Sequence, residues 1–140
     1  MKVILDTNVL VSALISEGSP SLILEKVIES DTIQVCLSTL IFEEYLEVLA
    51  RPKFQKFPSF IENAALVLHF LKNNSLNFEP KRKVELLKDK SDNKFLELAL
   101  ESKADFLITG NSQDFKIASF RNTKIVTPKE FIDLMPKTEL

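Results

Sequence analysis

The chain has 140 residues, 45% hydrophobic and 27% charged, with a formal net charge of −2; that is apolar material for one domain spanning 1–140, and no global basic field marks a nucleic-acid partner. Two glycines, Gly18 and Gly110, cannot supply a GxGxxG fingerprint or a Walker A loop, and a single cysteine and a single histidine exclude an intramolecular disulfide and argue against structural zinc. The apolar run in MKVILD is too short for a signal peptide and no stretch reaches membrane-spanning length, so the expectation is a cytoplasmic protein with no membrane partner.

Short apolar runs alternate with helical patterns. Val3–Leu5 reads as a strand, and Val9–Ile15 and Ser21–Ile28 as helices broken by Gly18–Pro20. Ile33–Leu37, rich in β-branched residues, is a second strand. Ser38 or Thr39 caps a helix running to about Ala50, where Pro52 stops it. Phe60–Leu71 is a strongly apolar helix, Leu76–Phe78 a short strand, and Lys81 to Lys90 a charged, exposed stretch. Asp92–Ser102 is a helix, Phe106–Ile108 and Ile125–Val126 are strands, and Pro128 opens a last helix at its first position. Strands alternating with helices predict an α/β fold with a mainly parallel sheet covered on both faces.

In such sheets ligands sit beyond the carboxyl ends of the strands. Asp6 and Asn111 fall at such ends, whereas Asp105 precedes its strand and belongs to the opposite edge. Two helices carry further acids. With Leu40 as zero at roughly 100° per residue, Glu44 falls near 40°, between Leu40 and Val48, while Glu43 and Glu47 point to the polar side. With Asp92 as zero, Phe95, Leu96, Ala99 and Leu100 lie within roughly 80°, and Lys94, Glu97 and Glu101 take the other face. No inward Lys or Arg is expected on either helix. A buried carboxylate is costly unless paired, hydrogen-bonded or bound to a cation. Three of them predict an oxygen-rich site for Mg²⁺ or Mn²⁺, ions that serve phosphoryl transfer.

Asp6-Thr7-Asn8 after the first strand, Glu44 in a helix ending ARPKF, the run SDNKFLELAL around Asp92 and the segment ADFLITGN together resemble the PIN domain, in particular its VapC-like branch, the toxin half of toxin–antitoxin pairs. The resemblance spans Lys2 to about Pro136. It implies a three-layer α/β/α sandwich with a central mainly parallel sheet. It also implies a metal-dependent endoribonuclease that leaves a 5′-phosphate and a 3′-hydroxyl, acting on single-stranded or structured RNA. An antitoxin protein partner follows, with a homodimer as a further expectation. Asp6, Glu44 and Asp92 match the family's core acidic positions, and Thr7, Asn8 and Thr109 match supporting polar ones. Many PIN domains carry Asp where this chain has Asn111, which removes one negative charge and leaves Asn111 or Asp114 to complete the site.

Other readings compete. A PIN-like module with weakened catalysis would bind RNA or a protein, and Asn111 is its sequence support. A haloacid-dehalogenase-like phosphatase also begins with a strand and an Asp, but needs a second Asp where Asn8 stands. Taken singly, Asp6 reads as an Asx-turn residue, Asp92 as a helix-capping acid and Glu44 as a snorkelling side chain. Arg51, Lys53 and Lys56 among phenylalanines read as a connector, Lys81–Lys83 as a solvated loop, His69 as structural and Cys36 as core. The stripe from Phe60 to Leu71 reads chiefly as core, any excess being a surface for a second copy or an antitoxin segment.

Overall fold

Val3, Ile4 and Leu5 are all fully buried, although successive side chains of a strand point to opposite faces. Both faces of the sheet are therefore covered, as the parallel reading requires. The computed structural model describes residues 1–110, 115 and 117–135. Its elements in chain order are β1 (Lys2–Leu5), α1 (Thr7–Ile15), α2 (Ser19–Glu29), β2 (Gln34–Leu37), α3 (Thr39–Leu49), α4 (Phe60–Asn74), β3 (Leu76–Asn77), α5 (Asn93–Ser102), β4 (Phe106–Ile108), β5 (Ser119–Phe120), β6 (Thr123–Val126) and α6 (Pro128–Leu134). Single 3₁₀ turns at Pro52–Phe54 and Lys90–Asp92 lead into α4 and α5.

The six strands lie in the order β3-β2-β1-β4-β6-β5, and helices on both sides complete an α/β/α sandwich. All pairings are parallel except β5 with β6. The chain first builds outward from β1 through β2 to β3, then crosses to the other side of β1 for β4. The direction of winding reverses between β1 and β4, and a crevice opens at their carboxyl ends. Asp6 follows β1 and Thr109 follows β4, so both stand at that switch point. Asp6 N–H donates to Ile108 O at 2.9 Å across it, and Thr109 N–H donates to Val126 O at 2.9 Å, fixing the end of β4 to β6.

Local chemistry explains the element ends. Gly18, at φ 146°, takes a backbone conformation that side chains disfavour and delivers Pro20 into the first turn of α2. Ser38 caps α3, its Oγ accepting from Ile41 N–H at 3.3 Å. Thr127 and Glu130 form a reciprocal capping box ahead of α6, with Pro128 in the first turn as expected. Tyr45, fully buried on α3, donates its hydroxyl to the carbonyl of Leu5 and ties that helix to the end of β1.

Some local details go beyond the sequence reading or alter it. β5 was not anticipated: it pairs with β6 through the two-residue turn Arg121-Asn122, with Arg121 at φ 54°. Such turns favour Asn-Gly or Asp-Gly, and SFRNTK lacks that signature. His69, read as structural, is exposed on α4 beside Asn73. Leu40, expected to bound the apolar sector of α3, is 55% exposed, so Glu44 stands at the rim of that sector. Cys36 is core, and Phe54 and Phe57 pack inward as a connector's aromatics would. Among the described residues no helix is long and apolar enough to cross a membrane.

Candidate metal centre

Asp6 occupies the position before α1, yet its carboxylate makes no capping hydrogen bond to that helix. It is buried, and its Oδ2 accepts from Thr109 Oγ1 at 2.7 Å across the β1–β4 junction. Thr7, one residue on, donates its hydroxyl to Glu44 Oε2. Asn8 Oδ1 accepts from the backbone N–H of Gly110 at 3.2 Å. Thr7, Asn8 and Thr109 thus tie β1, β4 and α3 into one polar knot.

Electrostatics mark this knot as a place for a cation. Burial pushes the Asp6 carboxyl above its ordinary range; the Thr109 hydrogen bond opposes the shift, and the nearby charge of Glu44 adds to it. The phenol of Tyr45, beneath the two acids, is pushed well up by burial first, then by Asp6 and Glu44. Carboxylates held this way favour a positive partner.

Asp92 ends the 3₁₀ turn and begins α5, also without a capping hydrogen bond to that helix. Among the described residues no three His, Cys, Asp or Glu side chains are grouped closely enough to hold a metal ion. The structure therefore brings Asp6 and Glu44 together but does not form a three-acid cluster with Asp92. Asn111 and Asp114 lie outside the described residues. By donor chemistry the pair fits a hard divalent ion, since both side chains offer carboxylate oxygens. Among the described residues there is no closed cage of three acids.

One residue departs from the sequence reading. Lys94, assigned to the outer face of α5, places its Nζ 2.6 Å from Glu44 Oε1. Leu98 is fully buried and lies within roughly 40° of Lys94 around the helix. Burial on the Leu98 side turns Lys94 toward α3, and Leu98 was the signal that could have revealed it.

Thr109→Val keeps the shape of the side chain and removes the donor to Asp6. With that opposing hydrogen bond lost, the Asp6 carboxyl rises further above its usual range. Mn²⁺ affinity measured by calorimetry is expected to fall by about 10–100-fold, the usual effect of deleting a partner that supports a ligand.

A mainly parallel sheet with two acids near its switch point defines an α/β protein of the class that places ligands at the carboxyl ends of its strands. Residues 2–113 match the PIN domain family model, and the chain belongs to that family. It is 32% identical over 146 residues to the uncharacterized protein MJ1680 of Methanocaldococcus jannaschii, covering 98% of this chain and 93% of that one. Its fold is similar to that of a chain in the crystal structure of VapBC2 from Rickettsia felis bound to a DNA fragment from their promoter. There the TM-score is 0.60 at 19% identity, covering 91% of this chain and 98% of that one.

Proposed function

We propose that the protein is a Mg²⁺- or Mn²⁺-dependent endoribonuclease and the toxin of a toxin–antitoxin pair. The observation that carries this reading is the buried Asp6, close enough to Glu44 to feel its charge, at the β1–β4 switch point of a PIN domain. Asp6 and Glu44 would hold the ion and Asn111 or Asp114 would complete the shell; Asp92, at the entrance to α5, is not grouped with the other two acids and would have to approach them to serve as a third ligand. A divalent cation bound there supplies Lewis acidity for hydrolysis of a phosphodiester. Thr109 orients Asp6 and Thr7 orients Glu44, while Tyr45 seals the floor of the site. The fold it shares with the Rickettsia felis chain supports a cognate antitoxin protein as partner.

Labelled single-stranded RNA incubated with Mn²⁺, Mg²⁺ or EDTA tests this. The wild type is expected to cut with either ion, to be silent in EDTA and to leave 5′-phosphate ends. Glu44→Gln is expected to slow cutting by on the order of 10²-fold or more. Equal cutting in EDTA, or by both proteins, contradicts the proposal. RNA binding with no cutting in any ion replaces it with a binding module, a reading favoured by Lys94 already neutralising Glu44.

A further inference from the structure

Both oxygens of Glu44 are engaged by the protein itself. Thr7 donates to Oε2, and the ammonium of Lys94 lies 2.6 Å from Oε1. The side chains of Lys94 and Glu44 are only 18% and 23% exposed, so the pair is sheltered from the screening that makes surface ion pairs weak. A cation at Glu44 therefore meets a positive charge already in place. Two charges of one sign at a single carboxylate repel strongly in a partly desolvated site.

We infer that Lys94 is a resident counter-ion of Glu44 that a divalent metal must displace, so that the lysine sets the threshold of metal loading. Glu44 is thereby neutralised by the protein itself, which lessens its repulsion of Asp6. Displacement is feasible because Lys94 also lines an open cleft of about 540 Å³, together with Lys83, Lys90 and Ser91. A long flexible side chain leaving Glu44 can put its ammonium into that water-filled space at little cost. Glu85 and Glu97 on the same wall offer carboxylates to the displaced ammonium, and Lys83 and Lys90 oppose them, so the cleft accepts Lys94 without a dedicated partner. Lys94 returns to Glu44 when the metal leaves. Lys94 is a positioning residue in this scheme, not a group that touches the substrate.

The inference rests on Glu44 being a metal ligand, as proposed above, and the test separates the two. Mn²⁺ binding is measured by calorimetry for the wild type, Lys94→Met, Lys94→Arg and Glu44→Gln, with melting temperatures in EDTA and in excess Mn²⁺. Lys94→Met is expected to bind Mn²⁺ about tenfold more tightly, to melt lower in EDTA and to gain more on adding Mn²⁺. Lys94→Arg retains the charge and is expected to stay within about twofold of the wild type, which also shows that the position tolerates change. Equal or weaker Mn²⁺ binding by Lys94→Met overturns the inference. If Glu44→Gln binds Mn²⁺ as the wild type does, the metal-site reading itself falls and the inference falls with it. Loss of binding in Glu44→Gln with no gain in Lys94→Met removes the inference alone.

Discussion

Asp6→Asn is expected to lower metal-dependent RNA cleavage by on the order of 10²–10³-fold or more, and at the same time to raise the melting temperature of the metal-free protein. The two effects share one cause. Asp6 is buried and its carboxyl is pushed up by that burial, with Glu44 adding to the shift, so its ionised form costs stability in the folded chain. A carboxyl whose folded pKa lies above its unfolded one binds protons better when folded. Stability is then lost as pH rises from the ordinary carboxylate range, about 4, through the raised value, and the loss persists at neutral pH. The amide carries no charge and is similar in shape. Its gain should be about 0.5–2 kcal/mol near neutrality, a few degrees in a chain of this size, and should shrink as the pH falls through that window. Melting curves between pH 4 and 8 in EDTA check the stability half, and the RNA assay checks the rate. A destabilised Asp6→Asn protein that still cuts at the wild-type rate would remove Asp6 from the site.

Phe95→Ala is expected to cost about 3–5 kcal/mol. Phe95 is fully buried on α5, part of the main core. Domains of this kind are stable by only about 5–15 kcal/mol, so the melting temperature should drop by roughly 10–20 °C. Because α5 also carries Asp92 and Lys94, activity should fall with the folded fraction as temperature rises. It should recover substantially in the cold, where the folded state persists. Urea unfolding gives the stability and the cleavage rate at 10 °C separates folding from chemistry. A loss below about 1 kcal/mol would show that α5 does not depend on this ring for its seat.

Much of this architecture is legible in the residues. The run Val3–Leu5 into Asp6, the cap at Ser38, the proline after α3 and Phe106–Ile108 into Thr109 are local signals, each set by a few neighbours. They place Asp6 and Thr109 at strand ends, and the sheet order then makes those ends adjacent. What escaped is tertiary. β5 exists because β6 offers an edge, and its turn lacks the glycine that would announce it. Lys94 escaped because a helical wheel assumes one buried face, whereas α5 packs against both the sheet and α3, so that Phe95 and Leu98 are both fully buried. An ion pair between side chains 50 positions apart has no local signature at all.

The most direct measurement is a crystal structure of the protein soaked in Mn²⁺, with the metal located by its anomalous scattering. Expected is a Mn²⁺ peak within about 2.0–2.3 Å of carboxylate oxygens of both Asp6 and Glu44, with the Lys94 ammonium moved off Glu44 into the cleft. A saturated crystal with no metal between Asp6 and Glu44, and Lys94 still on Oε1, contradicts it.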